Sequence, residues 1–102
     1  DRISVSAEYL RVYSPSAEVR GHHPSDHVLQ YGKKNVRIIN VKKVGLYAIQ
    51  LVFDDGHDSG IYSWDYIFSL KKNYEAYWKN YLLLLAKESQ SRLPDTQILE
   101  LK

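Results

Sequence analysis

The chain has 102 residues, of which 44% are hydrophobic and 25% are charged, and this length provides material for one hydrophobic core. It contains no Cys, which excludes disulfides, thiolate chemistry and metal sites with Cys ligands. The net charge of +2 is too small to predict nucleic-acid binding, and no apolar run reaches the roughly 18 residues of a membrane span. We therefore expect one cytoplasmic domain without a nucleic-acid or membrane partner.

The beginning of the chain is repeated further on. Residues 1–10 align with residues 58–67, so that Ser6 matches Ser63 and Tyr9 matches Tyr66. Each copy predicts a strand, a capping serine and a short helix. A strand and a turn precede the second copy but not the first. We therefore expect the natural chain to continue upstream by roughly ten or more residues, with a strand that pairs with residues 3–6.

The middle of the chain predicts a meander of strands. Residues 36–41 (VRIINV) are β-branched, and residues 47–53 (YAIQLVF) alternate between apolar and other positions. The following Asp-Asp-Gly predicts a three-residue hairpin loop that pairs Phe53 with His57 and Ile49 with Ile61. A two-residue loop would instead place Ile61 opposite Gln50. Residues 30–50 carry only positive charges and residues 52–65 only negative ones, which predicts either mutual attraction across the sheet or a docking face.

Two helices are predicted after the meander. Ser63 caps a short helix that ends near Leu70, and Asn73 is a candidate cap for an amphipathic helix that ends near Glu88. The spacing predicts one packed stripe on the second helix, formed by Tyr74, Tyr77, Trp78, Tyr81, Leu82 and Leu85. Leu83 lies outside this stripe. The tail from Arg92 is compatible with an edge strand, a contact with another chain, or disorder.

Together these elements predict an α+β fold. It is a small single domain of two strand-hairpin/short-helix repeats with antiparallel strands, followed by a C-terminal amphipathic helix. Between the repeats, residues 14–27 are polar and rich in Pro, Gly and Ser. They predict an ordered loop, or a single helical turn flanked by loops.

Three long strings carry a resemblance to a known family: residues 8–22 (EYLRVYSPSAEVRGH), 29–38 (LQYGKKNVRI) and 44–70 (VGLYAIQLVFDDGHDSGIYSWDYIFSL). They resemble the gamma-butyrobetaine hydroxylase-like N-terminal domain family, as a small stand-alone bacterial member. The resemblance implies that residues 1–90 form this domain and residues 91–102 a tail. In the family the domain occurs alone, before an oxygenase domain, or behind a P-loop scaffold that handles iron–sulfur clusters. It therefore implies an accessory module linked to iron or iron–sulfur metabolism.

The resemblance also implies a metal site in some relatives. Hydroxylase members bind a structural zinc through three Cys after the first repeat and one His from the second hairpin. His57 matches that histidine, whereas the three Cys are missing. His22, His23 and His27, with Asp26, offer other donors from the loop at residues 20–27. A zinc or iron site formed by His57, His22, His23 and His27 is therefore the alternative hypothesis, and no other cofactor is expected.

No catalytic residue is predicted. The chain lacks the His-x-Asp or His-x-Glu pair of an iron oxygenase, a Gly-rich phosphate loop and a nucleophile elbow. Asp54 and Asp55 lie in a tight turn, where exposure is the simpler interpretation. We therefore expect a non-enzymatic domain that binds an unidentified protein partner, with its oligomeric state open. Aromatic and Arg side chains near the repeated strand-to-helix junctions form the predicted interaction surface: Tyr13, Arg20, Tyr62 and Trp64.

Overall fold

The structure is a computed structural model that describes residues 4–21 and 27–94. Four helices are present in this part of the chain: α1 (Ala7–Val12), α2 (Ala17–Arg20), α3 (Trp64–Lys72) and α4 (Tyr74–Lys87). Three strands, β1 (Ile38–Val44), β2 (Ala48–Phe53) and β3 (Ile61–Ser63), form one antiparallel sheet in the order β1-β2-β3. The predicted α+β class is confirmed. The loop between the repeats contains α2, a single helical turn.

The register of the β2–β3 hairpin differs from the prediction by one residue. The backbone N–H of Phe53 donates to the carbonyl of His57 at 2.9 Å, as a three-residue loop requires. Further along, however, Gln50 lies opposite Ile61 and Ile49 lies opposite Tyr62, so residues 57–60 accommodate one extra residue. This register buries the Tyr62 ring completely and lets its hydroxyl donate to the carbonyl of Leu10 at 2.6 Å. Burying the large Tyr62 ring with its hydroxyl hydrogen-bonded stabilises the fold more than burying Ile61 would.

Both copies of the repeat begin their helix in the same way. The Ser6 hydroxyl accepts from the N–H of Tyr9 and the Ser63 hydroxyl accepts from the N–H of Tyr66, each at 3.1 Å. Both serines have extended backbone angles, as helix caps do. Asn73 does not cap α4; instead its side chain donates to the carbonyl of Ser69 at 2.9 Å. The predicted serine caps are therefore present, and the predicted asparagine cap is absent.

The core lies between the sheet and the helices of the two repeats. Its main cluster contains Tyr9, Leu10, Leu51, Phe53, Tyr62, Ile67 and Leu70. The helix α4 closes a second cluster through Tyr81 and Leu85, which pack with Val12. The packed stripe of α4 is narrower than its spacing predicts, because Tyr74 and Leu82 are 39% and 41% exposed. None of the described helices is long and apolar enough to cross a membrane.

The segment after α4 is tied back to the body of the domain. The N–H groups of Gly32 and Lys34 donate to the carbonyls of Ser91 and Arg92 at 2.8 and 2.9 Å. The Arg92 guanidinium also makes two hydrogen bonds to the buried Glu8 carboxylate, at 2.9 and 2.7 Å. The beginning of the predicted tail therefore packs against α1, and residues 95–102 lie outside the described residues.

Candidate functional site

Buried polar side chains meet where the α1–α2 turn contacts the loop after β2. Ser14 follows α1, Ser16 precedes α2, and His57 follows the turn at the end of β2. The Nε2 atom of His57 lies 2.7 Å from the Ser14 hydroxyl and 3.5 Å from the Ser16 hydroxyl, and its Nδ1 atom lies 3.4 Å from a Glu18 oxygen. We name these four residues the His57 cluster. Its members other than Glu18 are buried.

The histidine of this cluster is held neutral. Burial lowers the pKa of His57, the nearby Arg11 charge lowers it further, and Glu18 and Asp55 oppose this with smaller effects. The carboxylate of Glu18 favours the tautomer with its proton on Nδ1, so that Nε2 accepts from the Ser14 hydroxyl. The neutral ring therefore links the stretch from Ser14 to Glu18 with the loop after β2.

Asp55 organises the adjoining turn. It accepts hydrogen bonds from Nζ of Lys33 at 2.7 Å, from Nε of Arg11 at 2.9 Å and from the N–H of His57 at 3.1 Å. Burial raises the pKa of Asp55, but these hydrogen bonds and the Arg11 charge outweigh it and lower the pKa to about 2. Lys33 from the basic stretch and Asp55 from the acidic stretch thus form an ion pair, but neither residue lies on a strand, so this pair is not the attraction across the sheet that the sequence predicted.

Ser14, His57 and Glu18 contact one another in the sequence nucleophile, base and acid that a catalytic triad has. Neighbouring atoms, however, block access to the Ser14 hydroxyl. Ser14 is 1% exposed, and a Cβ placed on Gly60 would come within 2.6 Å of its oxygen. A nucleophile needs room for the atom that it attacks at roughly 3 Å. The backbone of Gly60 occupies the space beside the Ser14 oxygen, so no such room exists there. The role that the cluster's contacts support is to join two loops.

The structure separates the described members of the predicted metal site. His27 borders a groove beside Leu29 and Leu84, whereas His57 is surrounded by the hydroxyls of its cluster. In residues 4–21 and 27–94, no group of three His, Asp or Glu side chains is placed to hold a metal ion. His22 and His23 lie outside the described residues. Around the His57 ring the described side chains supply one carboxylate, from Glu18, and otherwise the hydroxyls of Ser14 and Ser16, which is fewer donors than the four ligands of a structural zinc site.

The predicted interaction surface is divided between core and exterior. Arg20 and Trp64 are exposed, and the Arg20 guanidinium lies 4.7 Å from the centre of the Tyr66 ring. Tyr13 is half-buried and its hydroxyl donates to the carbonyl of Tyr77 at 2.7 Å. Tyr62 has no exposed area, so this predicted surface residue belongs to the core instead.

Several large apolar residues are exposed where the sequence did not predict an exposed surface. On β1 and the following turn, Ile39 is 64%, Val41 55%, Leu46 73% and Tyr47 78% exposed. The sequence did contain an indication of this exposure, because β1 is rich in apolar residues and no other segment is predicted to cover it. The partners of His57 were also not predicted, because Ser14 and Ser16 are 43 and 41 residues away from it along the chain.

Comparison with solved structures found similar proteins. Two NMR solution structures of proteins are 50% and 48% identical to this chain, with TM-scores of 0.76 and 0.74. The matches cover 95% and 96% of this chain and 77% and 74% of those chains. A crystal structure of a protein of unknown function from Acidithiobacillus ferrooxidans, of the DUF971 family, is 37% identical, with a TM-score of 0.49. That match covers 66% of this chain and 64% of the other. No curated protein matches the sequence.

A family model described as gamma-butyrobetaine hydroxylase-like, N-terminal, matches residues 1–68. This range includes α1, α2, the whole sheet and the beginning of α3, and therefore both copies of the repeat. The family that the three sequence strings resemble is the family whose model matches. This chain belongs to the gamma-butyrobetaine hydroxylase-like N-terminal domain family.

Proposed function

We propose that this chain is a non-catalytic accessory domain that binds a protein partner through β1 and the turn after it. The observation that carries the proposal is the exposure of large apolar side chains on this hairpin: Ile39, Val41, Leu46 and Tyr47. Contiguous exposed apolar residues mark interaction sites more often than scattered single ones. Tyrosine is also among the residues that contribute most to protein interfaces.

The backbone of β1 supports the same surface. β1 pairs with β2 along one edge, and its other edge pairs with no strand of the described part of the chain. The register of β1 shifts between Ile38 and Asn40, and the regular edge that follows, residues 40–44, can accept an additional strand through main-chain hydrogen bonds. The lysines of the strand discourage pairing between two copies of the protein. A partner strand would therefore come from a different protein.

The charge of this edge indicates what that partner carries. Lys42 and Lys43 lie on β1, with Lys34 and Arg37 just before it, and none of them is in an ion pair within the described residues. Opposite charge across an interface raises the association rate and favours the correct partner. We therefore infer an acidic segment with apolar residues. Its link to iron or iron–sulfur metabolism rests on family association alone.

The surroundings of Ser14 favour a non-catalytic role, since its hydroxyl faces the backbone of Gly60. Metal binding remains the alternative hypothesis, and it depends on His22 and His23, outside the described residues. Metal analysis of protein purified without an affinity tag tests it. One equivalent of zinc or iron, with a lower melting temperature in chelator, would support the alternative.

The interaction is tested by replacing Tyr47 with the photo-crosslinking residue p-benzoylphenylalanine in cells that make the full chain. The same residue at Lys79, exposed on α4, is the matched control. We expect a discrete crosslinked protein at position 47, at least fivefold more abundant than at position 79. Mass spectrometry would identify it. Equal crosslinking at both positions, or none at position 47, would contradict the proposal.

The charge of the partner is tested in the same cells. The double variant Lys42→Glu and Lys43→Glu reverses two charges on β1, whereas Lys42→Arg and Lys43→Arg keeps them. We expect the first pair to reduce crosslinking at position 47 at least fivefold and the second pair to leave it unchanged. A loss in both variants would show that the charge of these residues is not what the partner recognises.

A further inference from the structure

The hydrogen bonds of the central strand β2 determine which backbone groups face each of its neighbours. In an antiparallel sheet, the N–H and C=O groups of successive residues point alternately to the two sides of a strand. On the β3 side, the carbonyl of Tyr47 accepts from Trp64 and the N–H of Phe53 donates to His57, each at 2.9 Å. On the other side, the N–H of Asp54 donates to a carbonyl just before β1 at 2.9 Å. Odd-numbered residues of β2 therefore face β3, and even-numbered residues face β1.

Two residues of β1 consequently present their backbone groups to the free edge of the sheet. Residues 40, 42 and 44 lie opposite residues 52, 50 and 48, so their N–H and C=O groups point toward β2. Between them, Val41 and Lys43 point their N–H and C=O groups away from β2. None of these four groups has a partner strand or loop in residues 4–21 and 27–94. The free edge therefore offers two donors and two acceptors in a regular array.

The side chains beside this edge differ between the two faces of the sheet. Val41 lies opposite the buried Leu51, on the face that the helices cover, and is nevertheless 55% exposed. Lys43 lies opposite Ile49 on the same face, whereas Lys42 lies on the other face. A strand added at this edge would therefore have an apolar neighbour at Val41 and a positively charged neighbour on each face.

We propose that the partner segment pairs antiparallel with β1 through the backbone of Val41 and Lys43, and that it carries two consecutive acidic residues followed by an apolar one. The proposal rests on the proposed interaction function and specifies the partner of that surface. In this order the acidic side chains lie opposite Lys43 and Lys42, and the apolar side chain lies opposite Val41. Opposite charges and apolar pairs directly across two strands are stabilising, and antiparallel pairing is slightly more stable than parallel pairing.

Amide hydrogen exchange of the dilute protein alone tests whether the edge is free. We expect the N–H groups of Val41 and Lys43 to exchange at least about tenfold faster than those of Asn40 and Lys42, which point toward β2. NMR measures the four rates separately. Slow exchange at Val41 and Lys43 would show that another segment of the chain already covers this edge, and would overturn the proposal.

A pair of variants at Val41 tests the main-chain hydrogen bonds. Proline is tolerated on an edge strand where its missing N–H faces outward, so Val41→Pro removes the outward donor and keeps the pairing of β1 with β2. Val41→Thr is the matched control, because it keeps the N–H and the β-branched shape. With p-benzoylphenylalanine at position 47, we expect Val41→Pro to reduce crosslinking at least about fivefold and Val41→Thr to leave it unchanged. Equal crosslinking in the two variants, with both proteins folded by circular dichroism, would contradict this binding mode.

A peptide titration tests the predicted pattern without a change in the protein. The probe is a synthetic peptide with the sequence TTEEVTT, and the control is TTKKVTT, in which the charges are reversed. We expect saturable binding of the first peptide alone, with the largest amide shift changes at Val41 and Lys43. Equal binding of the two peptides, or shift changes that spare both of these amides, would refute the proposed pattern.

This proposal and the proposed function can fail separately. Crosslinking at position 47 of the original protein reports only whether a partner binds there, whereas Val41→Pro reports how it binds. Crosslinking that persists in folded Val41→Pro would refute the strand pairing and keep the interaction surface. Absence of crosslinking in the original protein would refute the proposed function itself.

Discussion

At the scale of single residues, His57 connects two segments of the chain that are far apart in sequence. Its ring contacts Ser14, Ser16 and Glu18, and its backbone N–H donates to Asp55. These contacts join the α1–α2 turn to the loop after β2. A neutral buried imidazole suits this role, since one ring nitrogen donates and the other accepts. Protonation would remove the acceptor that the Ser14 hydroxyl uses.

The pH dependence of stability follows from this arrangement. Burial lowers the pKa of His57 below its usual 6.5, so the unfolded chain binds a proton before the folded one does. Stability is therefore fully present above about pH 6.5 and is lost as the pH falls through the pKa of the folded state. We expect the free energy of unfolding, measured in urea, to decrease between pH 7 and pH 5.

The variant His57→Gln should show a smaller decrease over the same range, since it has no proton to bind there. Burial and the nearby Arg20 charge also lower the pKa of His27, so His27→Gln measures the separate contribution of that imidazole over the same pH range. If His57→Gln keeps the full pH dependence of the original protein, the buried histidine is not its source.

At the scale of elements, a close approach between two segments decides the register of the hairpin. Gly60 lies against both Ser14 and the ring of Tyr62, and a Cβ there would come within 2.6 Å of the Ser14 oxygen and 2.9 Å of the ring. No residue other than glycine fits this position without movement. The extra residue before β3 brings Gly60 to this contact and turns Tyr62 into the core. The alternation of apolar and polar residues along the strands does not predict such a contact between distant segments.

The variant Gly60→Ala should therefore be destabilised by about 1–3 kcal/mol, the usual cost of overpacking a core. The variant Ser14→Ala removes one of the two clashing groups. In its background the cost of Gly60→Ala should fall, although the Tyr62 ring still opposes the new methyl group. A double-mutant cycle by urea unfolding measures this coupling. Strictly additive effects would show that the two segments are not in contact as described.

At the scale of the whole molecule, an ion pair joins the two ends of the described chain. Glu8 on α1 is 5% exposed, and Arg92 after α4 makes two hydrogen bonds to it. The Arg92 guanidinium also lies 5.0 Å from the centre of the Trp78 ring. These contacts hold the segment after α4 against α1. The helices of the first repeat and the C-terminal part of the domain thereby form one unit.

The variant Arg92→Gln should destabilise the protein by about 1–3 kcal/mol, because it leaves the Glu8 carboxylate buried with weaker partners. Adding Glu8→Gln should recover part of this loss, since a neutral amide costs less to bury than a charge. Thermal unfolding of the two single variants and the double variant measures the recovery. A double variant that is no more stable than Arg92→Gln would refute this explanation.

The sequence by itself determined the local elements, because their causes are local. The serine caps, the alternation of β2 and the period of α4 depend on neighbours a few residues apart. The repeat was equally visible, since Ser6 and Tyr9 recur as Ser63 and Tyr66. These signals sufficed for the α+β class, whereas the family was indicated by the resemblance of the three long strings. They could not identify the partners of His57, which lie about forty residues away along the chain.

Tertiary structure alone decided the candidate sites. It placed Tyr62 in the core and left Ile39, Val41, Leu46 and Tyr47 outside, because burial depends on which helices pack over each strand. It also brought Leu10 and Ile67 to one groove. The physical reason is the same in each case. Exposure and hydrogen-bond partners are properties of segments that meet in space, and neither composition nor spacing records which segments meet.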